Sequence, residues 1–305
     1  MFKQRLNWKL RRILRELEES LDTFQNLWRG TQVKNRMCSS CRALVSSDER
    51  VCPHCHEKLG RRLGGVEKLL QNLIPNFAPV SFLLLTINFL WFVILFASQR
   101  ESTAQDLRMF LMGGSVKSIV QWGGDAALLV SQGQWWRLVS AIFVHIGVIH
   151  LLFNSYALIF IGPLLEEVLG RERFLATYIG AGVLGFVVSN AYYDPVHVTA
   201  GASGAIFGLI GAGIIISRKW AAWGSLLREQ LVHWAIYGLV YGLILKANNA
   251  AHIGGFLSGM GFAFLLRNPA LSTSREDISW RILYWVILLL TLTSLVLACH
   301  SGITA

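Results

Sequence analysis

The stretch Ala251-His252-Ile253-Gly254-Gly255-Phe256-Leu257-Ser258-Gly259 combines one ionisable side chain with a row of glycines inside an apolar run. On a helix, positions 252, 255 and 259 share a face, so the imidazole of His252 lies directly above a glycine stripe. Such a stripe permits close backbone contact between two helices in a membrane. The stretch therefore predicts a helix that packs tightly on another apolar helix through Gly255 and Gly259.

A second apolar run offers a matching stripe at Gly204, Gly208 and Gly211, directly after Ser203. If the two stripes pack together, the side chains that precede them lie at the same end of the helix pair. The two patterns together predict that Ser203 and His252 come into contact.

The composition around these runs is typical of a polytopic membrane protein. Of the 305 residues, 53% are hydrophobic and 15% are charged. Some of the apolar runs are shorter than the ~20 residues of a straight membrane span. Seven spans are predicted, over residues 80–97, 138–162, 174–192, 203–217, 231–246, 250–266 and 282–299.

The net charge of +10 follows this topology and does not indicate a nucleic-acid partner. Fifteen of the 28 Lys and Arg residues lie in residues 1–79, and the loops on the opposite side of the membrane carry five. By the positive-inside rule the amino terminus is cytoplasmic. An odd number of spans then places the tail, which lacks Lys and Arg, outside, and seven spans satisfy this condition.

Residues 1–78 are predicted to form a cytoplasmic head. The charged start Met1-Phe2-Lys3-Gln4-Arg5 has no signal-peptide pattern, so the first span inserts as it stands. Apolar residues recur every three or four positions over 2–28, which predicts an amphipathic helix. We expect it to pack on its own domain or on a second copy, with binding to the anionic inner leaflet as the alternative. A linker helix is predicted over 61–75.

Two short cysteine motifs predict a zinc ribbon over residues 36–60. Cys38-Ser39-Ser40-Cys41 and Cys52-Pro53-His54-Cys55 supply four thiolates, the ligand set of a tetrahedral structural zinc. His54 or His56 could replace one sulfur. Disulfides are disfavoured in a reducing cytoplasm. The motifs predict a zinc ion that stabilises the head, and no cofactor is predicted for catalysis.

Placing a polar side chain inside a membrane span costs free energy, so such a residue indicates a structural or functional role. The acids nearest to the predicted spans, Asp194, Glu166 and Glu167, lie at or beyond their ends. A Ser-His-Asp triad is therefore disfavoured, and a nucleophile with a single base is favoured. Ser203, in Gly201-Ala202-Ser203-Gly204, is the candidate nucleophile, although small residues of this kind also serve helix packing.

The second predicted span supplies further polar groups. His150 and Asn154 are four residues apart and share a helix face, so both can donate to an oxyanion together with the backbone N–H of Ser203. His145 points elsewhere, and we expect it to form a structural hydrogen bond to the preceding loop. A zinc protease would need an HExxH motif, whereas His145 and His150 are five apart with no acid between them.

In these motifs the chain resembles the rhomboid intramembrane proteases over residues 122–266. The resemblance rests on Trp136-Arg137, the series His145, His150 and Asn154, the GASG motif at Ser203 and the AHxxGxxxG motif that begins at Ala251. It implies an all-α, six-helix core over residues 79–267, followed here by a seventh transmembrane helix within residues 268–305. It also implies Ser203 as nucleophile, His252 as base, and an oxyanion site formed by His150, Asn154 and the Ser203 amide. Supporting positions are Gly201, Gly204, Phe207, His145, Trp136, Arg137, Gly255 and Gly259.

Two features depart from the family pattern. Members often carry tyrosine four residues after the nucleophile, stacked on the catalytic histidine, and this chain has Phe207 there. The cytoplasmic head lies outside the resemblance. Neither departure changes Ser203 or His252.

The resemblance implies an integral membrane enzyme that cuts transmembrane proteins near the outer face of the bilayer. A bacterial inner membrane is expected as its location, because the sequence shows no organelle-targeting pattern. The rival interpretation is a non-proteolytic binder of membrane helices, acting in quality control or dislocation. The presence of both Ser203 and His252 favours the enzyme. The head suggests a cytoplasmic adaptor or self-association as a further partner, and Arg137 is expected to brace the loop before the second span.

Overall fold

The computed structural model describes residues 35–37, 44–46, 51–56, 78–98, 111, 113, 115–219, 224–266 and 274–304. The chain divides into two compact units, Met1–Asn76 and Phe77–Ala305. The helices predicted over 2–28 and 61–75 lie outside the described residues.

The first unit contains a short antiparallel hairpin. Strand β1 spans Asn35–Met37 and strand β2 spans Leu44–Ser46, with Met37 paired to Leu44. The connection between them, residues 38–43, contains the first cysteine motif in the sequence. The second motif falls in a turn within residues 51–56, where the backbone N–H of His56 donates to the carbonyl of Cys52 at 2.9 Å.

The described residues of the second unit form helices joined by loops, with one isolated β-bridge between Asp125 and Thr199. Three short helices lie between the first long helix and the later ones. The helices are α1 (Pro79–Ser98), α2 (Val116–Gln121), α3 (Ala127–Ser131), α4 (Arg137–Ser140), α5 (Val148–Leu169), α6 (Arg171–Tyr192), α7 (Ser203–Lys219), α8 (Gly224–Ile244), α9 (Asn249–Leu265) and α10 (Ser274–Thr304).

Four of these helices are long and apolar enough to cross a membrane: Pro79–Ser98, Val148–Leu169, Arg171–Tyr192 and Glu276–Thr304. Ser203–Arg218 is a shorter apolar helix. This set of helices is typical of a multi-pass membrane protein. The number of seven spans remains a prediction.

The second predicted span, 138–162, has the wrong bounds. Helix α5 starts at Val148 because Gly147 is extended (φ −153°, ψ 170°), and it continues to Leu169. Residues 138–147 instead form most of α4 and a buried loop, in which Ala141 to Val144 are fully inaccessible to solvent. An apolar run can be a buried loop as well as a helix, and hydropathy does not distinguish the two. The shift also moves Glu166 from beyond the predicted span into α5.

Helix α7 lies at the centre of the second unit and is buried along most of its length. It contacts α9 through what we call the glycine seam, formed by Gly204, Gly208 and Gly211 of α7 and Gly255 and Gly259 of α9. A Cβ added at Gly255 or Gly259 would collide with the backbone carbonyl of Gly204 or Gly208. The two backbones therefore touch at these glycines, and Ser203 and His252 start at the same end of the seam.

This end of the helical unit, where α7 and α9 begin, is called the upper end below. At the opposite, lower end, the carboxylate of Glu166 caps α1. Its oxygens accept from the backbone N–H of Val80 at 3.0 Å and of Ser81 at 2.7 Å, and from the Ser81 hydroxyl at 2.8 Å. Unpaired N–H groups at a helix start need such partners, above all in a membrane.

Candidate active site

Ser203 and His252 lie side by side at the upper end. Ser203 Oγ is 2.8 Å from His252 Nε2, which is hydrogen-bond distance. Ser203 is the first residue of α7, and His252 lies in the first turn of α9. His252 is 6% exposed and Ser203 is partly exposed, so the imidazole is enclosed by protein and the serine is the more accessible member of the pair.

The backbone before Ser203 requires glycine at position 201. Gly201 has φ +129°, which L side chains rarely adopt, and a Cβ there would lie 2.5 to 2.7 Å from the imidazole of His150. The N–H of Gly201 also donates to the carbonyl of Ala141 at 2.8 Å. The turn into α7 is thus fixed on one side by His150 and on the other by the buried loop before α5.

The imidazole of His252 is held on its face and at its second nitrogen. The ring of Phe207, one turn into α7, stacks on it with centroids 4.5 Å apart and planes 13° apart. The Nδ1 atom lies 3.0 Å from Oδ1 of Asn249, three residues earlier in α9. The Phe207 contact needs only an aromatic ring, so the missing tyrosine hydroxyl leaves the stacking intact.

His150 and Asn154 project from α5 toward the same region. The imidazole of His150 lies against the Gly201 backbone, with Nε2 2.7 Å from the position of an added Cβ. Asn154 is 5% exposed and donates one amide hydrogen to the carbonyl of His150 at 3.0 Å. His150 thus lies beside the turn that leads to Ser203, and N–H donors near a nucleophile can stabilise a developing oxyanion.

His145 has a different environment. It is fully buried, and its Nδ1 lies 3.1 Å from the carbonyl of Phe143 in the preceding loop. Its ring centroid is 5.2 Å from that of His150. This geometry agrees with a structural role, because no reacting group is in reach of the bonded nitrogen.

Arg137 lies in the loop region between α2 and α5. Its Nη1 donates to the carbonyls of Val120 at 2.5 Å and Gly124 at 2.9 Å, and its Nε donates to Gln134 at 2.6 Å. The guanidinium also lies 4.5 Å from the ring centroid of Trp136. These contacts tie α2, α4 and the connection between them into one block.

A polar cluster, formed by Asp125, Ser189, Asn190, Thr199 and Asn248, connects that block to the site. Asp125 and Thr199 exchange backbone hydrogen bonds of 2.9 Å each, and Asn190 donates to the Asp125 carboxylate at 3.2 Å. Asn248 donates to Ser189 at 2.5 Å and to Thr199 at 2.9 Å, and its Oδ1 caps α9 by accepting from the N–H of Ala251. The cluster therefore fixes the start of α9, four residues before His252, relative to the loop that leads to Ser203.

Burial shifts the pKa values of Asp125, in this cluster, and of Arg137. It raises the pKa of Asp125 to about 6, although the hydrogen bond from Asn190 and the charge of Arg137 oppose the increase. Burial also lowers the pKa of Arg137, against the attraction of Asp125. The carboxyl group of Asp125 therefore gains or loses its proton at mildly acidic pH.

The cysteine motifs fall in the first unit and are described only in part. Cys52 is buried and Cys55 is partly exposed, and both belong to one tight turn, as a metal knuckle requires. Cys38 and Cys41 lie outside the described residues. Within residues 51–56 and the helical segments, no group of three or more metal-ligating side chains occurs.

Asn249 contacts the imidazole of His252, although the sequence assigned it no role. It stands near a predicted span end, and its spacing of three from His252 places both on one helix face. That spacing was the sequence feature from which a contact between Asn249 and His252 could have been predicted. An amide indicates a catalytic relay less strongly than a carboxylate does, so the spacing alone did not identify Asn249 as a partner of His252.

Comparison with known proteins identifies similar chains. A family model described as the rhomboid domain matches residues 132–269. Rhomboid protease GluP of Bacillus subtilis (strain 168) is 36% identical over 174 residues, which cover 54% of this chain and 34% of the relative. RHOMBOID-like protein 5 of Arabidopsis thaliana is 35% identical over 176 residues, 52% of this chain and 53% of the relative.

The rhomboid protein YdcA of Bacillus subtilis (strain 168) is 34% identical over 158 residues, which cover 48% of this chain and 77% of the relative. The chain spans 34% of the length of GluP and 53% of that of RHOMBOID-like protein 5. The family match includes Ser203, His252, His150 and Asn154 and leaves the head and all of α10 outside.

Proposed function

The chain belongs to the rhomboid family, a family of multi-pass membrane proteins, and we propose that it is an intramembrane serine endopeptidase that uses Ser203 and His252. The observation that carries this proposal is the 2.8 Å hydrogen bond between Ser203 Oγ and His252 Nε2. A nucleophile and a base within hydrogen-bond reach are the minimum for acyl transfer. The similarity to GluP, named a rhomboid protease, supports the same reaction class.

The proposed reaction has two stages. His252 Nε2 takes the proton of Ser203 as Oγ bonds to the carbonyl carbon of the scissile peptide. The tetrahedral intermediate collapses when the C–N bond breaks, and His252 returns the proton to the departing amine. Water then attacks the ester, His252 accepts its proton, and the ester bond breaks to release the acid and restore the Ser203 hydroxyl.

The oxyanion of both stages would be stabilised by His150, Asn154 and the backbone N–H of Ser203. The contact of His150 with the Gly201 backbone and the burial of Asn154 support this assignment. Donors that are already fixed need no reorganisation when the charge develops, which is the main advantage of such a site.

The proposed substrates are transmembrane proteins, cut near the outer face of the lipid bilayer. In this proposal the chain has seven spans, six in the core and α10 as the seventh, with a cytoplasmic amino terminus and an external carboxyl terminus in a bacterial inner membrane. The asymmetry of Lys and Arg between alternate loops supports the orientation.

The test is cleavage of a generic transmembrane substrate by the purified, detergent-solubilised chain. We expect product from the wild type and none from Ser203→Ala or His252→Ala, because each variant removes one half of the pair. Ser258→Ala is the matched control: it lies in α9, and its hydroxyl donates only to its own helix, at the carbonyl of Gly254. Equal product from all four proteins, or no product from folded wild type, would instead favour a non-proteolytic binder of membrane helices.

We further propose that the head binds a structural zinc ion through Cys38, Cys41, Cys52 and Cys55, with His54 or His56 as substitutes for one sulfur. The ion would supply no catalytic chemistry and would hold the two cysteine turns together. Elemental analysis should find about one zinc per chain, and Cys52→Ser with Cys55→Ser should remove it. The head would then be available for a cytoplasmic adaptor or for self-association.

A further inference from the structure

We propose that Asn249 is a positioning residue for the Ser203/His252 pair, and that helix α8 holds it in place. This inference rests on the proposed function. It adds a third side chain to the pair and connects the pair to a helix that contributes no reacting group.

The orientation of the Asn249 amide follows from its two partners. Its Nδ2 lies 3.3 Å from the backbone carbonyl of Leu239 in α8. A carbonyl oxygen only accepts hydrogen bonds, so the NH₂ group must face Leu239. The carbonyl oxygen Oδ1 must then face His252, at 3.0 Å from Nδ1.

This orientation determines which nitrogen of His252 carries the proton. Oδ1 of Asn249 is an acceptor, so Nδ1 of His252 must be the N–H donor. The lone pair of a neutral imidazole then lies on Nε2, which faces Ser203 Oγ at 2.8 Å. A base must present that lone pair to the hydroxyl, so Asn249 selects the tautomer that can react.

Helix α8 supports both contacts of the imidazole through two glycines. A Cβ added at Gly242 would collide with Oδ1 of Asn249, and one added at Gly238 would lie 2.6 Å from Cζ of Phe207. The two glycines are four residues apart and share a face of α8. The amide of Asn249 and the ring of Phe207 therefore both rest on this one glycine face.

The consequence is a chain of groups from α8 to the nucleophile. It passes from the Leu239 carbonyl through Asn249 and His252 to Ser203. Removing the acceptor of Asn249 leaves both tautomers of His252 accessible, and only one of them can accept the Ser203 proton. Displacing the amide from the α8 side should have the same effect without removing any polar group.

The experiment combines a spectroscopic and a kinetic measurement on the full chain. Protein labelled with ¹⁵N at histidine reports the tautomer through the Nδ1 and Nε2 shifts, with His252 assigned by comparison with His252→Ala. The rate at which a fluorophosphonate probe labels Ser203 reports the reactivity of the nucleophile without a substrate helix. The variants are Asn249→Ala and Gly242→Ala.

Two variants serve as matched controls. Gly261→Ala adds the same methyl group to α9 at a position where a Cβ meets nothing within 4 Å. Ser258→Ala removes one side-chain hydrogen bond from α9 away from the site. Both should retain the wild-type ¹⁵N shifts and labelling rate.

We expect Asn249→Ala and Gly242→Ala to move the His252 shifts toward the other tautomer and to slow labelling about two- to tenfold, the loss expected for one neutral hydrogen bond. Unchanged shifts in Asn249→Ala would overturn the proposal, and so would shifted signals with an unchanged labelling rate. If Asn249→Ala fails to fold, Gly242→Ala carries the same comparison. If the probe does not label the wild type, the proposed function is contradicted. The ¹⁵N shifts would still test the tautomer assignment in that case.

Discussion

The contact between α7 and α9 differs in kind from the contact between α6 and α10. At the glycines of the seam, the backbone of one helix touches the backbone of the other. At the lower end of α10, by contrast, side chains make the contact: Arg173 of α6 lies 3.5 Å from Asp277 and 3.9 Å from Glu276, and its guanidinium lies 5.3 Å from the ring centroid of Trp280. Only 22% of the most apolar stretch of α10 is buried in the protein.

The difference indicates what each contact can tolerate. A backbone contact has no flexible group that can yield, so any added atom must separate the helices. A side-chain contact can rearrange, and two of its charged partners reach the surface, with side-chain exposures of 20% for Glu276 and 50% for Asp277. The seam carries Ser203 and His252, which need fixed geometry, whereas the described groups of α10 do not touch them.

The largest effect is expected from Gly259→Ala. The added Cβ meets the backbone of Gly208, which cannot move aside, so the seam must open and Ser203 and His252 must separate. We expect a loss of ~3 kcal/mol of stability and a fall of about 100-fold in fluorophosphonate labelling of Ser203. Thermal unfolding and labelling measure both, with Gly261→Ala as the control. Wild-type behaviour of Gly259→Ala would mean that the seam is not a rigid backbone contact.

An effect of up to similar size on stability, but dependent on pH, is expected in the polar cluster, whose contacts are made largely by side chains. The folded pKa of Asp125 lies near 6 and its unfolded pKa near 3.8, so the folded state keeps the proton longer as pH increases. Stability should therefore fall between about pH 4 and pH 6, by up to ~3 kcal/mol above pH 6. Asp125→Asn should remove this dependence.

The measurement is the difference in unfolding temperature between wild type and Asp125→Asn at pH 4 and at pH 7. Other carboxylates titrate in both proteins and cancel in this difference. A difference that is the same at both pH values would show that the buried carboxylate carries no such penalty. Gly259→Ala, in contrast, should differ from wild type by a similar amount at both pH values, because its contact contains no titratable group.

The smallest effects are expected where α6 meets α10. Arg173→Met keeps an apolar side chain of similar length and removes the charge, and we expect a loss of ~1 kcal/mol with labelling of Ser203 within about threefold of wild type. Asp277→Asn should cost less than ~0.5 kcal/mol, since the carboxylate is half exposed. Unfolding temperatures in low and high salt measure both. A labelling loss in Arg173→Met as large as that of Gly259→Ala would contradict the distinction between the two contacts.

Several elements of the fold could be predicted from the sequence because each has a strong local cause. Glycines spaced for one helix face, in two apolar runs, predicted the close pair of helices that carries Ser203 and His252. The cost of polar groups in a membrane singled out Ser203, His252, His150 and Asn154 as candidates. The same motifs suggested the rhomboid family, which the comparisons confirm.

Other features depend on contacts between segments far apart in the chain, which no local pattern contains. Hydropathy placed the start of the second span ten residues too early, because the buried loop at 141–144 is as apolar as a helix. The capping of α1 by Glu166 and the ion pairs of Arg173 join segments about 85 and 100 residues apart.

Residue type and spacing are enough to predict which residues could react and which helices could approach closely. The orientation of His252, in contrast, depends on how the helices pack. The carbonyl of Leu239 faces the Asn249 amide only when α8 and α9 are packed together. A hydrogen bond to a backbone carbonyl cannot be predicted from residue types, because every residue has that group.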